Sequence, residues 1–156
     1  MEGKVPRVKL PPVEQIGIVV EDIDRAIEYY SSVFGWGPFE VMDSGSIPYT
    51  LRGQVNKAHL KLAFARSGPL EIELIQVLEG ETPHTESLRQ RGEGLHHLRF
   101  HVDDLDSMLV ELAKDGIKPV WEHKFPQLGI SFAYLDSDQI GGVMFELIED
   151  KNRQIG

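Results

Sequence analysis

Gly92 to Asp106 reads GEGLHHLRFHVDDLD. At a strand's period of two, His97, Arg99 and His101 fall on one face and Leu98, Phe100 and Val102 on the other, so one face is apolar and the other carries chemistry. An earlier stretch, VEQIGIVVEDID from Val13 to Asp24, lies over it residue for residue. Val20-Glu21-Asp22-Ile23-Asp24 matches Val102-Asp103-Asp104-Leu105-Asp106, which sets Gln15 opposite His97. The chain contains one unit twice.

Outward from these strands the units stay in step. Asp22 sits where a helix N-cap belongs, and Ile23, Ala26, Ile27, Tyr30 and Phe34 recur at helical spacing until Gly35 and Gly37-Pro38 end the pattern. The second unit answers with Leu105, Met108, Leu109 and Leu112, closed by Gly116. The Tyr29-Tyr30 pair reads as helix packing. Phe39 to Met42 predicts a short strand, and the Gly-, Ser-, Pro- and Asn-rich segment Asp43 to Lys57 predicts a long excursion over a pocket rim. Leu60, Leu62 and Phe64 alternate with polar and small residues up to a turn at Ser67-Gly68-Pro69. LEIELIQV follows, with Leu70, Ile72 and Leu74 on one face and Glu71, Glu73 and Ile75 on the other.

Thr85 to Gln90 predicts a turn or two of helix between the units. Strands are then expected over 118–123 and 131–136 and, after Gly141-Gly142, over 143–149, where VMFELIE answers LEIELIQ. The organisation is an extended, loose N-terminal arm (1–12), a module at 13–77, a linker at 78–93, a second module at 94–149 and a tail at 150–156. The fold class is α+β. Each βαβββ module has too little helix to cover both faces of its sheet, so two tandem modules curl as one mixed sheet around a shared cavity, with the helices outside.

Composition narrows the function. With 16 basic and 25 acidic residues the net charge is −9, which disfavours a nucleic-acid backbone as partner. No cysteine is present, so there is no disulfide framework and no thiolate nucleophile, and any metal must be held by nitrogen and oxygen. The N-terminus lacks the apolar core of a signal peptide and no apolar run is long enough to span a bilayer, so a cytoplasmic protein without membrane contact is expected.

By parity, Gln15 and Glu73 from the first module and His97 and Glu146 from the second all point into the cavity. A glutamate flanked by apolar residues in a central strand is costly to bury unpaired, and two of them call for a cation. One imidazole nitrogen and one amide oxygen complete four ligands for a divalent ion, whether Co, Ni, Zn, Mn or Mg. Arg99 shares that face and has two readings, a grip on an anionic substrate group or a pairing with Glu71. His96 faces away and reads as structural, His101 as a solvated strand end and Lys61 as a wetted edge.

The residues VEQIGIVVEDIDRAIEYYSSVFGW, IELIQVLEG, GEGLHHLRFHVDDLD and GGVMFELIE resemble the vicinal oxygen chelate superfamily, the glyoxalase, bleomycin-resistance and dioxygenase fold, from about Val13 to Glu149. The second half is most similar to methylmalonyl-CoA epimerases and to lactoylglutathione-lyase-related proteins. The resemblance implies paired βαβββ modules around one divalent metal, and a homodimer. It also implies enolate chemistry next to a carbonyl, with Glu146 as base, Glu73 on the opposite face of the carbon, and an acyl-CoA thioester as one substrate class.

Gln15 stands where epimerases usually have His. The order Gln, Glu, His, Glu resembles zinc-type glyoxalase I, a lyase acting on thiol adducts of 2-oxoaldehydes, and disfavours an iron oxygenase. Val19 replaces an arginine that grips glutathione in those lyases, and the 43–57 segment lacks the glutamate that epimerases use as a second base. A metal-free small-molecule binding or resistance protein is a further alternative, one whose relatives generally lose the ligand quartet.

Overall fold

The computed structural model describes residues 3–154. Parts of the expected arm and tail, positions 1, 2, 155 and 156, lie outside the described residues. In the first module, β1 (Gln15–Val19) leads to α1 (Ile23–Phe34) and then to β2 (Glu40–Leu51), β3 (Gln54–Ser67) and β4 (Leu70–Glu79). After α2 (Pro83–Arg91) the same succession returns as β5 (Gly94–His101), α3 (Leu105–Ala113), β6 (Pro119–Phe125), β7 (Ile130–Leu135) and β8 (Met144–Asp150).

The strands close into a barrel in the order β1-β4-β3-β2-β6-β7-β8-β5. The first module contributes β1-β4-β3-β2 and the second the matching β5-β8-β7-β6. In each, the first strand runs parallel to the last, β1 with β4 and β5 with β8, and the other pairings are antiparallel. The modules meet within one chain through β1 and β5, and again through a brief β2–β6 contact at Thr50↔Glu122 and Leu51↔Trp121.

Both helices open on equivalent caps. The Asp22 side chain accepts from Arg25 N–H and that of Asp104 from Ser107 N–H, satisfying otherwise orphaned donors. Each helix lies outside the barrel. Ile23, Ala26, Ile27 and Tyr30 of α1 pack with Ala63 and Leu74, while Leu105, Met108, Leu109 and Leu112 of α3 pack with Phe100, Ala133 and Leu147. A third cluster of Tyr49, Leu60, Trp121, Phe132, Tyr134 and Met144 fills the interior.

Three sequence expectations are revised. Residues 43–57 are not an excursion: β2 runs through to Leu51, and Arg52-Gly53, at φ 47° and 81°, form a two-residue turn into β3. Ile47, Tyr49 and Leu51 alternate into the interior cluster. A register shift between Asp43 and Ser46 absorbs the Ser44-Gly45 pair that reads as a loop. Phe34, expected on the buried stripe of α1, is 61% exposed as the last residue of the helix, next to the left-handed Gly35 cap. The arm is docked: Leu10 joins the α3 cluster, and Lys4 and Arg7 pair with Asp115.

Among the described residues no helix is long and apolar enough to cross a membrane. Leu74 and Leu147 follow the two cavity-facing glutamates, occupy equivalent places and are both 0% exposed. Leu74→Ala and Leu147→Ala are each expected to cost about 2–5 kcal/mol in urea unfolding; a loss below about 1 kcal/mol at either would contradict the equivalence of the two modules.

Candidate metal centre

β1 and β5 lie side by side with Gly17 opposite His97, and β4 and β8 flank them on their outer edges. Four inward side chains converge there. His97 Nε2 lies 3.0 Å from Gln15 Oε1, 3.3 Å from Glu73 Oε2 and 3.2 Å from Glu146 Oε2. Gly17 makes room for the ring, since a Cβ there would sit 2.0 Å from His97 Cε1. Gln15 and His97 are 0% exposed whereas each glutamate keeps 7%, so the two glutamates are the members of the cluster that retain some solvent exposure.

The electrostatics follow from this packing. Burial alone would drive the imidazole toward its neutral form, but hydrogen bonds and charge from Glu146 and Glu73 outweigh it and hold His97 up to about 9. With only a proton available, His97 itself supplies the positive charge that the two carboxylates require. The donor chemistry of the quartet also suits a divalent cation. Metal–ligand bonds of roughly 2.0–2.1 Å place neighbouring ligand atoms about 3.0–3.4 Å apart, and two carboxylates, an amide oxygen and an imidazole nitrogen suit Mg, Mn, Co, Ni or Zn.

The amide has a fixed orientation. Gln15 Nε2 donates to Glu71 Oε1 at 2.7 Å, which turns Oε1 toward His97. Arg99 anchors this arrangement, donating from Nη2 to Glu71 at 3.2 Å and from Nε to Glu14 at 2.9 Å. Of its two readings, the pairing with Glu71 is therefore present. His101 is part-buried and pairs with Glu14, and Lys61 bonds Asp24 at 2.9 Å.

His96 departs from the expectation. It does not face away from the cavity but is 1% exposed beside His97, because the β1–β5 register slips from Gly17↔His97 to Ile18↔Leu95 and leaves His96 as the extra residue of a bulge. Its Nδ1 lies 3.4 Å from His97 Nδ1, its Nε2 has no hydrogen-bond partner among the described residues, and burial pushes it down to about 3.

Sequence reasoning missed His84. The α2 segment has little apolar periodicity, and the legible signal was Thr82-Pro83 followed by Thr85, a helix start that also aims the next side chain inward. His84 is 1% exposed and bonds Tyr134 Oη at 3.1 Å. Ring nitrogens of His84, His96 and His97 lie within 4.8 Å of one another, a second grouping of metal-ligand type. It brings no negative charge, whereas the quartet offers two carboxylates to a divalent ion. A cavity of about 700 Å³ beside α2, lined by Arg52, Pro83, Glu86, Arg91, Lys118 and His96 among others, reaches His96.

The fold is a duplicated βαβββ barrel in which two carboxylates, an amide oxygen and an imidazole nitrogen converge beside the β1–β5 junction. Residues 14–134 match the model of the Glyoxalase/Bleomycin resistance protein/Dioxygenase superfamily, and the chain belongs to that superfamily. It is 27% identical over 145 residues to the Bacillus subtilis protein YqjC, covering 91% of this chain and 94% of that one. It is 26% identical over 141 residues to the mitochondrial methylmalonyl-CoA epimerase of Mus musculus, covering 89% and 73%. A solved Streptomyces coelicolor methylmalonyl-CoA epimerase, a variant in complex with 2-nitronate-propionyl-CoA, shares the fold at TM-score 0.65 and 19% identity over 95% of this chain and 100% of that one.

Gly17→Ala is expected to displace the His97 ring and to cost about 1–3 kcal/mol in chemical denaturation. Gly3→Ala, with nothing within 4 Å, should be neutral. Equal stability of the two variants would show that His97 is not held against β1.

Proposed function

We propose that this chain is a divalent-metal-dependent epimerase or isomerase that moves a proton on the carbon next to a carbonyl, with acyl-CoA thioesters as the first substrate class to test. The observation that carries the reading is the pair of glutamates, Glu73 and Glu146, both held against Nε2 of one buried imidazole and each keeping a small solvent exposure. The likeness to methylmalonyl-CoA epimerases, in sequence and in fold, supports the substrate class.

Gln15, Glu73, His97 and Glu146 would hold the ion. Bound there, it supplies Lewis-acid stabilisation of the charge that builds on the substrate carbonyl oxygen. Glu146 would take the proton from the neighbouring carbon as a carboxylate, and Glu73, protonated from solvent before turnover, would return one from the opposite face, after which solvent exchange resets the pair. Gln15, clamped by Glu71, keeps its oxygen toward the site and carries no charge, so the cluster's negative charge stays on the two groups that handle protons. Arg99 spends Nε and Nη2 on Glu14 and Glu71, and Nη1 is the nitrogen assigned to an anionic substrate group.

A second reading is favoured by one residue. Gln15 as first ligand gives the order found in zinc-type glyoxalase I, so a lyase acting on a thiol adduct of a 2-oxoaldehyde would use the same ion and the same base. Both readings share the proton transfer and differ in what bears the carbonyl.

The experiment is deuterium wash-in from D2O into a panel of 2-substituted acyl-CoA thioesters, with protein stripped by EDTA and reloaded separately with Co, Ni, Zn, Mn or Mg. Metal-dependent exchange next to the thioester supports the epimerase reading. Exchange into hemithioacetals alone supports the lyase, and exchange into neither substrate class with any metal overturns enolate chemistry. Glu146→Gln is expected to lower exchange by about 10²–10⁴-fold with the melting temperature kept; retained exchange removes Glu146 as base.

Proton and cation compete for His97 Nε2. Because its folded-state value is raised to about 9, cation affinity should fall about tenfold per unit as pH drops from 8 to 6. A pH-independent affinity by calorimetry would remove His97 from the ligand set. The raised value also sets a sign for the metal-free fold: the stability that His97⁺ contributes is complete below about 6.5 and is lost as pH rises through about 9.

A further inference from the structure

Resting on His97 as a metal ligand, we infer that Tyr134 and His84 are positioning residues that fix which nitrogen of His97 faces the ion. Both are buried and neither belongs to the quartet. Tyr134 Oη lies 3.4 Å from His97 Nδ1, on the side of the ring opposite the carboxylates, and 3.1 Å from His84 Nε2. His84 Nδ1 in turn lies 3.2 Å from Thr82 Oγ1. These contacts form a chain from the ligand ring, through β7, to the first turn of the linker helix.

Proton counting gives the chain its direction. A cation at Nε2 needs that nitrogen's lone pair, so the single proton of a neutral His97 must sit on Nδ1. Tyr134 Oη and His96 Nδ1, each 3.4 Å away, are the acceptors on that side. The tyrosine hydroxyl then donates onward to His84 Nε2, and the His84 Nδ1–H donates to Thr82 Oγ1.

The far end of the chain is rigid. Thr82 is the N-cap of α2: its hydroxyl oxygen accepts from Thr85 N–H, and the Thr85 hydroxyl oxygen accepts from Thr82 N–H. Pro83 begins the helix, and His84 follows it into the interior, its ring 5.2 Å from that of Trp121 and 5.3 Å from that of Tyr134. The segment joining the two modules therefore reaches inward and sets the far side of a ligand on β5, the strand that follows it.

The test compares wild type with Tyr134→Phe, His84→Leu and His84→Gln, titrated with Zn²⁺ or Co²⁺ alone. Imidazole ¹⁵N spectra of the Zn-loaded proteins report the tautomer. Wild type should show His97 protonated at Nδ1 only. Tyr134→Phe and His84→Leu should lose about 10–100-fold in Zn²⁺ affinity with circular dichroism unchanged, and their His97 signals should depart from the single wild-type tautomer. His84→Gln should recover most of the affinity, because its amide oxygen can accept from the tyrosine, whereas a merely space-filling role would treat Leu and Gln alike. If wild type binds Zn²⁺ but Tyr134→Phe and His84→Leu match it in affinity and tautomer, the positioning role is overturned and the metal reading stands. If wild type binds neither ion, both fall together.

Discussion

Two carboxylates held against one buried imidazole are the constraint on which the rest of the structure depends. Glu73 and Glu146 approach His97 from β4 and β8, the strands that flank the β1–β5 pair, at 3.3 and 3.2 Å, in a place almost cut off from water. Such a grouping is tolerable only with compensating positive charge between its members, because removing paired charges from water costs several kcal/mol per ion. The protein can meet that demand with a proton or with a divalent ion, and the same geometry serves both.

Duplication makes this geometry easy to reach. Each module carries one carboxylate on its last strand and one neutral donor on its first, and the parallel pairings β1–β4 and β5–β8 keep donor and carboxylate near each other. Setting β1 against β5 then brings two half-sites together without any loop having to fold over them. Ligands on strands in the barrel wall are more precisely held than ligands on loops, and the partners of Gln15 and His97 continue that logic outward through Glu71 and Tyr134.

Much of this was legible in the sequence because it follows a period. Alternation placed Gln15, Glu73, His97 and Glu146 on inward faces, and the Val20–Asp24 and Val102–Asp106 match revealed the duplication. What escaped reading breaks a period or lacks one. His96 is inside because a bulge adds a residue to β5, and a slip of one position reverses a side chain's face. His84 lies in a short polar helix whose single inward turn leaves no repeating pattern. Residues 43–57 mimic a loop because Ser44, Gly45 and Pro48 are turn formers, yet Ile47, Tyr49 and Leu51 still alternate beneath them. The two readings of Arg99 needed three dimensions, since parity alone does not tell a substrate from Glu71.

The barrel's two seams are built from different forces. β1 and β5 are joined by a five-residue register, whereas β2 and β6 share two paired positions and rely on the rings beneath them, with Tyr49 and Trp121 centred 4.5 Å apart and Phe132 5.1 Å from Trp121. Ladder hydrogen bonds and apolar contact respond differently to temperature: the drive to bury apolar surface weakens on cooling. Cooling therefore takes more support from the aromatic seam than from the ladder seam, so the wall opposite β1–β5 is the more temperature-sensitive of the two.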